Sequence, residues 1–283
     1  ESVYEVSKID YEIHLIAKED LAKSKNTTQI INETPTYFQS SQIKTNLTFD
    51  NFVVGECNRT AYQAALMVAS NPGRMFNPLF IYSQPGLGKT HLLHAVGNYI
   101  KEKSPEKRVL YISAEDFFDE YVKYVTGNTE ELRINDYFKS IDVLLLDDVQ
   151  FLATKKKTQN YFFTCFQILY NSDKQIIITA DKQPSELEGM EMRLVSRFGA
   201  GLTTPINQPD EETNKQIMKK HMEASGVDIS KFDEEIFTFF AKKFSKNIRE
   251  LDGAINKLMF YMMTNNQTGK IDLETAMLAV QDS

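Results

Sequence analysis

Residues 83–90 read Ser-Gln-Pro-Gly-Leu-Gly-Lys-Thr, between the apolar run Leu79-Phe80-Ile81-Tyr82 and the helical pattern that opens at His91-Leu92-Leu93. An apolar strand that passes through a glycine-rich turn into a helix leaves few folds open. The N–H groups of the turn and of the helix start converge on one point, which is where a polyphosphate is held. Pro85, Gly86, Leu87, Gly88, Lys89, Thr90 and His91 are the candidate binding residues. Lys89 is placed to reach the outer phosphates, and the Thr90 hydroxyl to ligate Mg²⁺. Ser83 stands where this pattern opens with Gly, and Pro85-Gly86 supplies a tight turn in its place.

A second motif fits the first. Val143-Leu144-Leu145-Leu146-Asp147-Asp148 is an apolar run closed by two adjacent carboxylates. It suits a parallel strand buried on both faces whose carboxyl end delivers charge to a site. In phosphate-loop NTPases the partner strand supplies a carboxylate for Mg²⁺, here Asp147, and Asp148 is then placed to orient the attacking water. A core strand followed by an acidic turn is the plainer reading of the run alone. Beside a phosphate loop, the run points to nucleoside triphosphate binding.

With 283 residues, 42% of them hydrophobic, the chain can build one large or two ordinary cores. No apolar run is long enough to span a membrane. There is no charged-then-apolar leader, and the missing initiator Met makes a fragment the expectation. Cys57 and Cys165 have no metal spacing, so a reducing cytoplasm is expected. A net charge of −7 argues against a uniformly basic nucleic-acid coat but leaves room for a local basic contact.

Along the chain, residues 1–20 read as the remnant of an N-terminal domain and 21–46, rich in Asn, Thr, Ser and Gln, as a flexible linker. Strands are expected at 79–82, 109–112, 143–146 and 175–179, with a weaker fifth at 201–204, and helical patterns lie between them. That alternation predicts an α/β base over 47–207, a parallel sheet flanked by helices. After Pro205 and Pro209 the pattern is helical only, which makes 208–283 a small all-helical lid.

Other residues are candidates on position. Asp181 follows the fourth strand and could face the γ-phosphate or the water; a helix cap or loop Asp is the alternative. Arg193 and Arg197 are four apart on one helical face, as interface arginines or as an ordinary surface pair. Asn247 can cap a helix whose first turn holds Arg249, a cation that wants an anion there, whether phosphate, Glu250 or Asp252. Lys155-Lys156-Lys157-Thr158, and a helix opened by Ser113 that carries Tyr121 and Val122, suit a single-stranded backbone, although such a lysine run also reads as a solvated loop.

Phe49–Gly55, Gly86–Leu92, Asp142–Leu152, Arg193–Phe198 and Asn247–Leu251 together resemble the AAA+ module of the DnaA family of bacterial chromosomal replication initiators. The likeness covers roughly residues 47–281, and Asp147-Asp148-Val149-Gln150-Phe151-Leu152 is its most diagnostic stretch. The resemblance implies an AAA+ P-loop NTPase fold that binds ATP or ADP with Mg²⁺. It implies Val53 and Val54 in the adenine pocket (core packing explains two valines equally well) and Arg197 as an arginine finger acting on the next subunit. Arg193 would share that interface, and Arg249 would sense the nucleotide from the lid. Val122, Lys155, Lys157 and Thr158 would line a single-stranded DNA channel. Lys157 stands where the family commonly has Arg, which removes a bidentate phosphate contact.

The implied function is an ATP-controlled switch. The ATP form assembles with copies of itself at the origin, binds one DNA strand and promotes duplex opening, and slow hydrolysis ends the state. The resemblance also implies partners outside this chain: duplex origin DNA through a C-terminal helix-turn-helix domain, the replicative helicase through an N-terminal domain, and acidic phospholipids. A related regulator or helicase loader without a duplex-reading domain is the alternative within the fold. A motor ATPase that remodels protein or DNA is the alternative outside it.

Overall fold

A computed structural model describes residues 43–126, 131–265 and 270–281, the side chains of 131–135 excepted. The expectations for residues 1–20 and for the linker up to residue 42 lie outside the described residues.

Five parallel strands form one sheet: β1 Leu79–Tyr82, β2 Val109–Ser113, β3 Val143–Asp147, β4 Gln175–Ala180 and β5 Leu202–Pro205, in the order β2-β3-β4-β1-β5. β3 and β4 are buried along their whole length, so their sequences are near-continuous apolar runs rather than alternating ones. Side chains nevertheless divide by parity. Phe80, Leu144, Leu146, Ile176 and Ile178 enter one core with Phe117, Phe162 and Phe198. Leu79, Ile81, Val143, Leu145 and Ile177 enter the other with Ala61, Leu92 and Val96. Helices α1 (Arg59–Ser70) and α2 (Lys89–Lys103) cover the second face. Helices α3 (Ala114–Thr126), α4 (Glu131–Ser140), α5 (Lys156–Asn171) and α6 (Met192–Phe198) cover the first.

Ile43 belongs to this core at 9% exposure, and a Cβ added to Gly97 would lie 2.7 Å from its Cδ1. The folded chain therefore starts before the expected Leu47. One buried Ile in a polar stretch leaves no mark on local composition.

Helices α7 (Glu211–Ala224), α8 (Glu234–Lys243), α9 (Ile248–Thr264) and α10 (Leu273–Ala279) follow the sheet and share a separate core around Met218, Phe237, Phe240, Ile255 and Leu258. Side chains start three of them: Asp210 accepts from Thr213 N–H, Asn247 from Arg249 N–H and Asp272 from Thr275 N–H. Each such cap contributes about 1 kcal/mol. This helical part meets the base at identifiable points: Lys220 donates to Asp50 O, and Ile248 N–H to Gly86 O at 3.2 Å. No helix among the described residues is long and apolar enough to cross a membrane.

The parallel arrangement brings the carboxyl ends of β1, β3 and β4 side by side, with β4 between the other two. Those ends carry Ser83, Asp147 and Asp181.

Candidate functional site

The turn after β1 depends on two glycines in the left-handed region, Gly86 at φ 81° and Gly88 at φ 99°. α2 begins at Lys89 with no side-chain cap, so the first-turn N–H groups remain available to an anion. Lys89 is 6% exposed and donates to Ser83 O at 2.9 Å and Gln84 O at 3.4 Å, which holds its ammonium inside the loop. Burial pulls this lysine below its usual value, opposed by the carboxylates of Asp148, Asp147 and Asp181, while Arg249 adds to the lowering.

Asp147 is 4% exposed and wholly hydrogen-bonded. Its Oδ2 accepts from Thr90 Oγ1 at 2.8 Å and from Tyr111 OH at 3.1 Å, and its Oδ1 from Thr179 Oγ1 at 2.5 Å. Thr90 and Asp147, adjacent as the motifs require, fit the donor set of a Mg²⁺ held by one hydroxyl, one carboxylate and phosphate oxygens. Among the described residues no cluster of three or more His, Cys, Asp or Glu forms a separate metal site. Burial, then the Asp147 carboxylate, drives the Tyr111 phenol far above its usual range, so it stays a donor.

Asp148 adopts left-handed backbone angles, φ 54° and ψ 55°, which Asp tolerates better than most residues. Its N–H donates to Thr179 Oγ1 at 2.9 Å. Gln150 links the Asp148 carboxylate to the Asp181 main chain: its Nε2 donates to Asp148 Oδ1 at 3.2 Å, and its Oε1 accepts from Asp181 N–H at 3.3 Å. Asp181 keeps a buried Oδ1 without a protein partner.

A cavity of about 440 Å³ lies between base and helical part beside this loop. Phe52, Val53, Leu87 and His91 line it from the base, Ile217, His221 and Ile248 from the helices. Its size and apolar walls with a few polar groups suit a nucleoside. His91 Nε2 lies 2.9 Å from Thr48 O, and its ring stands edge-on to Phe52. Val54 does not line the cavity and is 37% exposed, since the chain turns outward after Val53; the pair acts as one residue here, not two. Arg249, in the first turn of α9, is exposed, close enough to Lys89 to be felt electrostatically and free of Glu250 or Asp252 in the described contacts. Asp252 instead engages His221 at 2.8 Å, which raises that imidazole. A larger cavity of about 740 Å³ runs along Ser83, Gln84, Asp181 and Asn207 at the sheet's carboxyl edge.

Lys155 and Val122 are brought together. Lys155 Nζ lies 4.5 Å from the Phe118 ring centroid, and Val122 stands one turn further along α3, 39% exposed. Lys157 is exposed in the first turn of α5. Thr158 is not available: the residue is 1% exposed, turned into the core by helical phase. Lys155 offers α5 no side-chain cap, so the N–H groups of that turn join the lysines as donors. Arg193 and Arg197, on α6, pack against α5. Arg193 donates to Asn160 Oδ1 and lies 4.3 Å over Phe163, and Arg197 lies 5.7 Å over Tyr170.

The sequence motifs did not single out Tyr111, Thr179 or Gln150. Tyr111 pairs with Leu145, and its long ring reaches diagonally to Asp147; only the strand register reveals this.

A five-stranded parallel sheet with a phosphate loop after β1, paired carboxylates at the end of β3 on the far side of β4 and a helical part docked on the loop defines a P-loop NTPase of the AAA+ class. Residues 43–205 match the family described as the bacterial DnaA ATPase domain. The chromosomal replication initiator protein DnaA of Deinococcus deserti is 45% identical over 219 residues, 77% of this chain and 47% of that protein. Domain III of the Thermotoga maritima initiator superposes with a TM-score of 0.79 at 42% identity, covering 86% of this chain and 98% of that one. A DnaA bound to AMPPCP and single-stranded DNA superposes at 0.69 with 35% identity, over 82% of this chain and 76% of that one. The chain belongs to the bacterial DnaA family. It spans about half the length of the relatives it matches.

Proposed function

We propose that this chain is the nucleotide-controlled assembly module of a cytoplasmic chromosomal replication initiator. The observation that carries this reading is the junction of α9 and the phosphate loop. Ile248 N–H donates to Gly86 O, and a Cβ on Gly86 would fall 1.9 Å from Asn247 Oδ1. The loop cannot close on phosphates without adjusting the helical part, so nucleotide state becomes lid orientation.

In this reading the adenosine occupies the cavity of Val53 and His91, and Pro85–Thr90 and Lys89 hold the phosphates. Thr90 and Asp147 would hold Mg²⁺, which when bound neutralises charge on the transferred phosphoryl group. Asp148 orients the attacking water, and Asp181 stands beside it. Arg249 reads the nucleotide from the lid. Arg197 serves the nucleotide of the next copy and Arg193 borders the same interface, in keeping with their anchorage on α5 rather than at their own chain's loop.

Lys155, Lys157 and Val122 form the surface for one DNA strand, where uncapped N–H groups and ammonium groups at the start of α5 meet an apolar side chain. The relative bound to AMPPCP and single-stranded DNA supports this part of the reading. Duplex origin DNA, the replicative helicase and acidic phospholipids belong to the longer protein this family describes.

The test is titration with fluorescent ATP and ADP, and of labelled oligo-dT, with and without EDTA. The reading requires nucleotide binding that Lys89→Ala abolishes, and oligonucleotide binding that is stronger with an ATP analogue and weakened by Lys155→Ala. Oligonucleotide affinity indifferent to nucleotide and to Lys155 would overturn it.

A further inference from the structure

Gln159, in the first turn of α5, is fully buried and has no part in the nucleotide site. Its Nε2 donates to Leu152 O at 2.9 Å, Ala153 O at 2.8 Å and Gly189 O at 3.0 Å, and its Oε1 accepts from Glu191 N–H at 2.8 Å. One amide thus joins three segments: the turn that follows Asp147-Asp148, the helix start that carries Lys155 and Lys157, and the turn that leads into α6. The join is tight, since Gly189 has φ +80° and a Cβ there would lie 2.8 Å from Ala153 O.

Asn160, the next residue, holds α6 from the exposed side. Its Oδ1 accepts from Arg193 Nη2, while Arg193 Nε donates to Glu191 Oε2 at 2.7 Å. The same short stretch, Gly189–Glu191, is therefore gripped by Gln159 from inside and by Arg193 from outside. Lys155 is tied to the same unit: its N–H donates to Leu152 O at 2.8 Å, and its C=O accepts from Gln159 N–H at 2.9 Å. A buried amide whose partners lie on three segments permits displacement of one only if the others follow, or else leaves buried polar groups unpaired.

We propose that Gln159 is a positioning residue that couples strand binding at the start of α5 to the aim of Arg193 and Arg197 on α6, so that a phosphate backbone at Lys155 and Lys157 and a nucleotide on the neighbouring copy favour the same arrangement. This rests on the function proposed above. Coupling between sites is reciprocal: if DNA steadies the arginines, the ATP state tightens DNA binding by the same factor.

The experiment measures oligo-dT affinity by fluorescence anisotropy with an ATP analogue and with ADP, for the unaltered chain, Gln159→Met and Asn160→Ala. Gln159→Met keeps the length and removes the amide; Asn160→Ala alters an exposed position and leaves the core alone. The unaltered chain should prefer the ATP state by about fivefold or more, and both variants should fall to within about twofold, with fluorescent-nucleotide affinity still within about twofold of the original. Wild-type preference retained by Gln159→Met overturns the proposal. Should that variant fail to fold by circular dichroism, the same retention in Asn160→Ala overturns it. An unaltered chain with no nucleotide preference removes the functional reading beneath the proposal as well, a distinct result from variants that keep it.

Discussion

Asp147 is the residue on which phosphate loop and sheet converge, through Thr90, Tyr111 and Thr179, and its environment sets a measurable cost. The perturbation is Tyr111→Phe, which deletes one hydroxyl and leaves the ring against His94, whose centroid lies 4.2 Å away. The lost bond is a donor to a carboxylate that is 4% exposed. Hydrogen bonds to charged groups contribute about 1.5–3 kcal/mol, and a domain of this size shifts by about 2–4 °C per kcal/mol. Nucleotide-free Tyr111→Phe should therefore melt about 3–12 °C lower. Thr179→Val should cost more, because Thr179 donates to Asp147 Oδ1 and also accepts from Asp148 N–H. Differential scanning calorimetry reads both. In a double-mutant cycle, Asp147→Asn should reduce the Tyr111 effect, since the charge that strengthens the bond is gone. A Tyr111→Phe loss below about 0.5 kcal/mol, within the range of an ordinary surface change, or a Thr179→Val cost smaller than that of Tyr111→Phe, would refute the reasoning.

Other perturbations follow from the same geometry. Gly86→Ala places a side chain in the left-handed region, at about 1–2 kcal/mol, and 1.9 Å from Asn247 Oδ1, so fluorescent ATP should bind at least about tenfold more weakly; unchanged affinity would deny the lid contact its role. Asp148→Glu should raise turnover in a phosphate-release assay, because one more methylene brings the carboxylate nearer the water, and an unchanged or lower rate would count against that. Burial lowers His91 and His94, so the unfolded chain takes up protons that the folded chain refuses once pH falls below about 6.5, and thermal stability should drop between pH 7 and 5. His221, raised by its bond to Asp252, acts in the opposite sense: its contribution is complete below about pH 6.5 and is lost as pH rises through the folded value. His94→Phe should lessen the acid drop in melts taken across that range, and an identical acid slope would refute the assignment.

The parts of this molecule legible in the sequence are those that short-range chemistry dictates. β1 runs over Leu79–Tyr82 as expected, and β3 exceeds its expected span only by Asp147, because buried parallel strands are written as uninterrupted apolar runs. Lys89 and Thr90 were legible as candidates because a phosphate loop fixes their spacing, and Asp147 because a buried apolar run ends on it. Tyr111, Thr179, Gln150 and Gln159 were not, since what each does depends on which strand or loop lies beside it. Helical phase misled at Thr158, where a residue beside exposed lysines turns inward, and backbone direction misled at Val54.

Whether nucleotide state sets assembly is read from the solution mass. Light scattering would compare the chain with ADP and with a non-hydrolysable ATP analogue, each with and without single-stranded oligonucleotide, and with Arg197→Ala alongside. Assembly is expected only with the ATP analogue, strengthened by the oligonucleotide and abolished by the substitution. A monomer in every condition, or the same assembly with ADP, would contradict it.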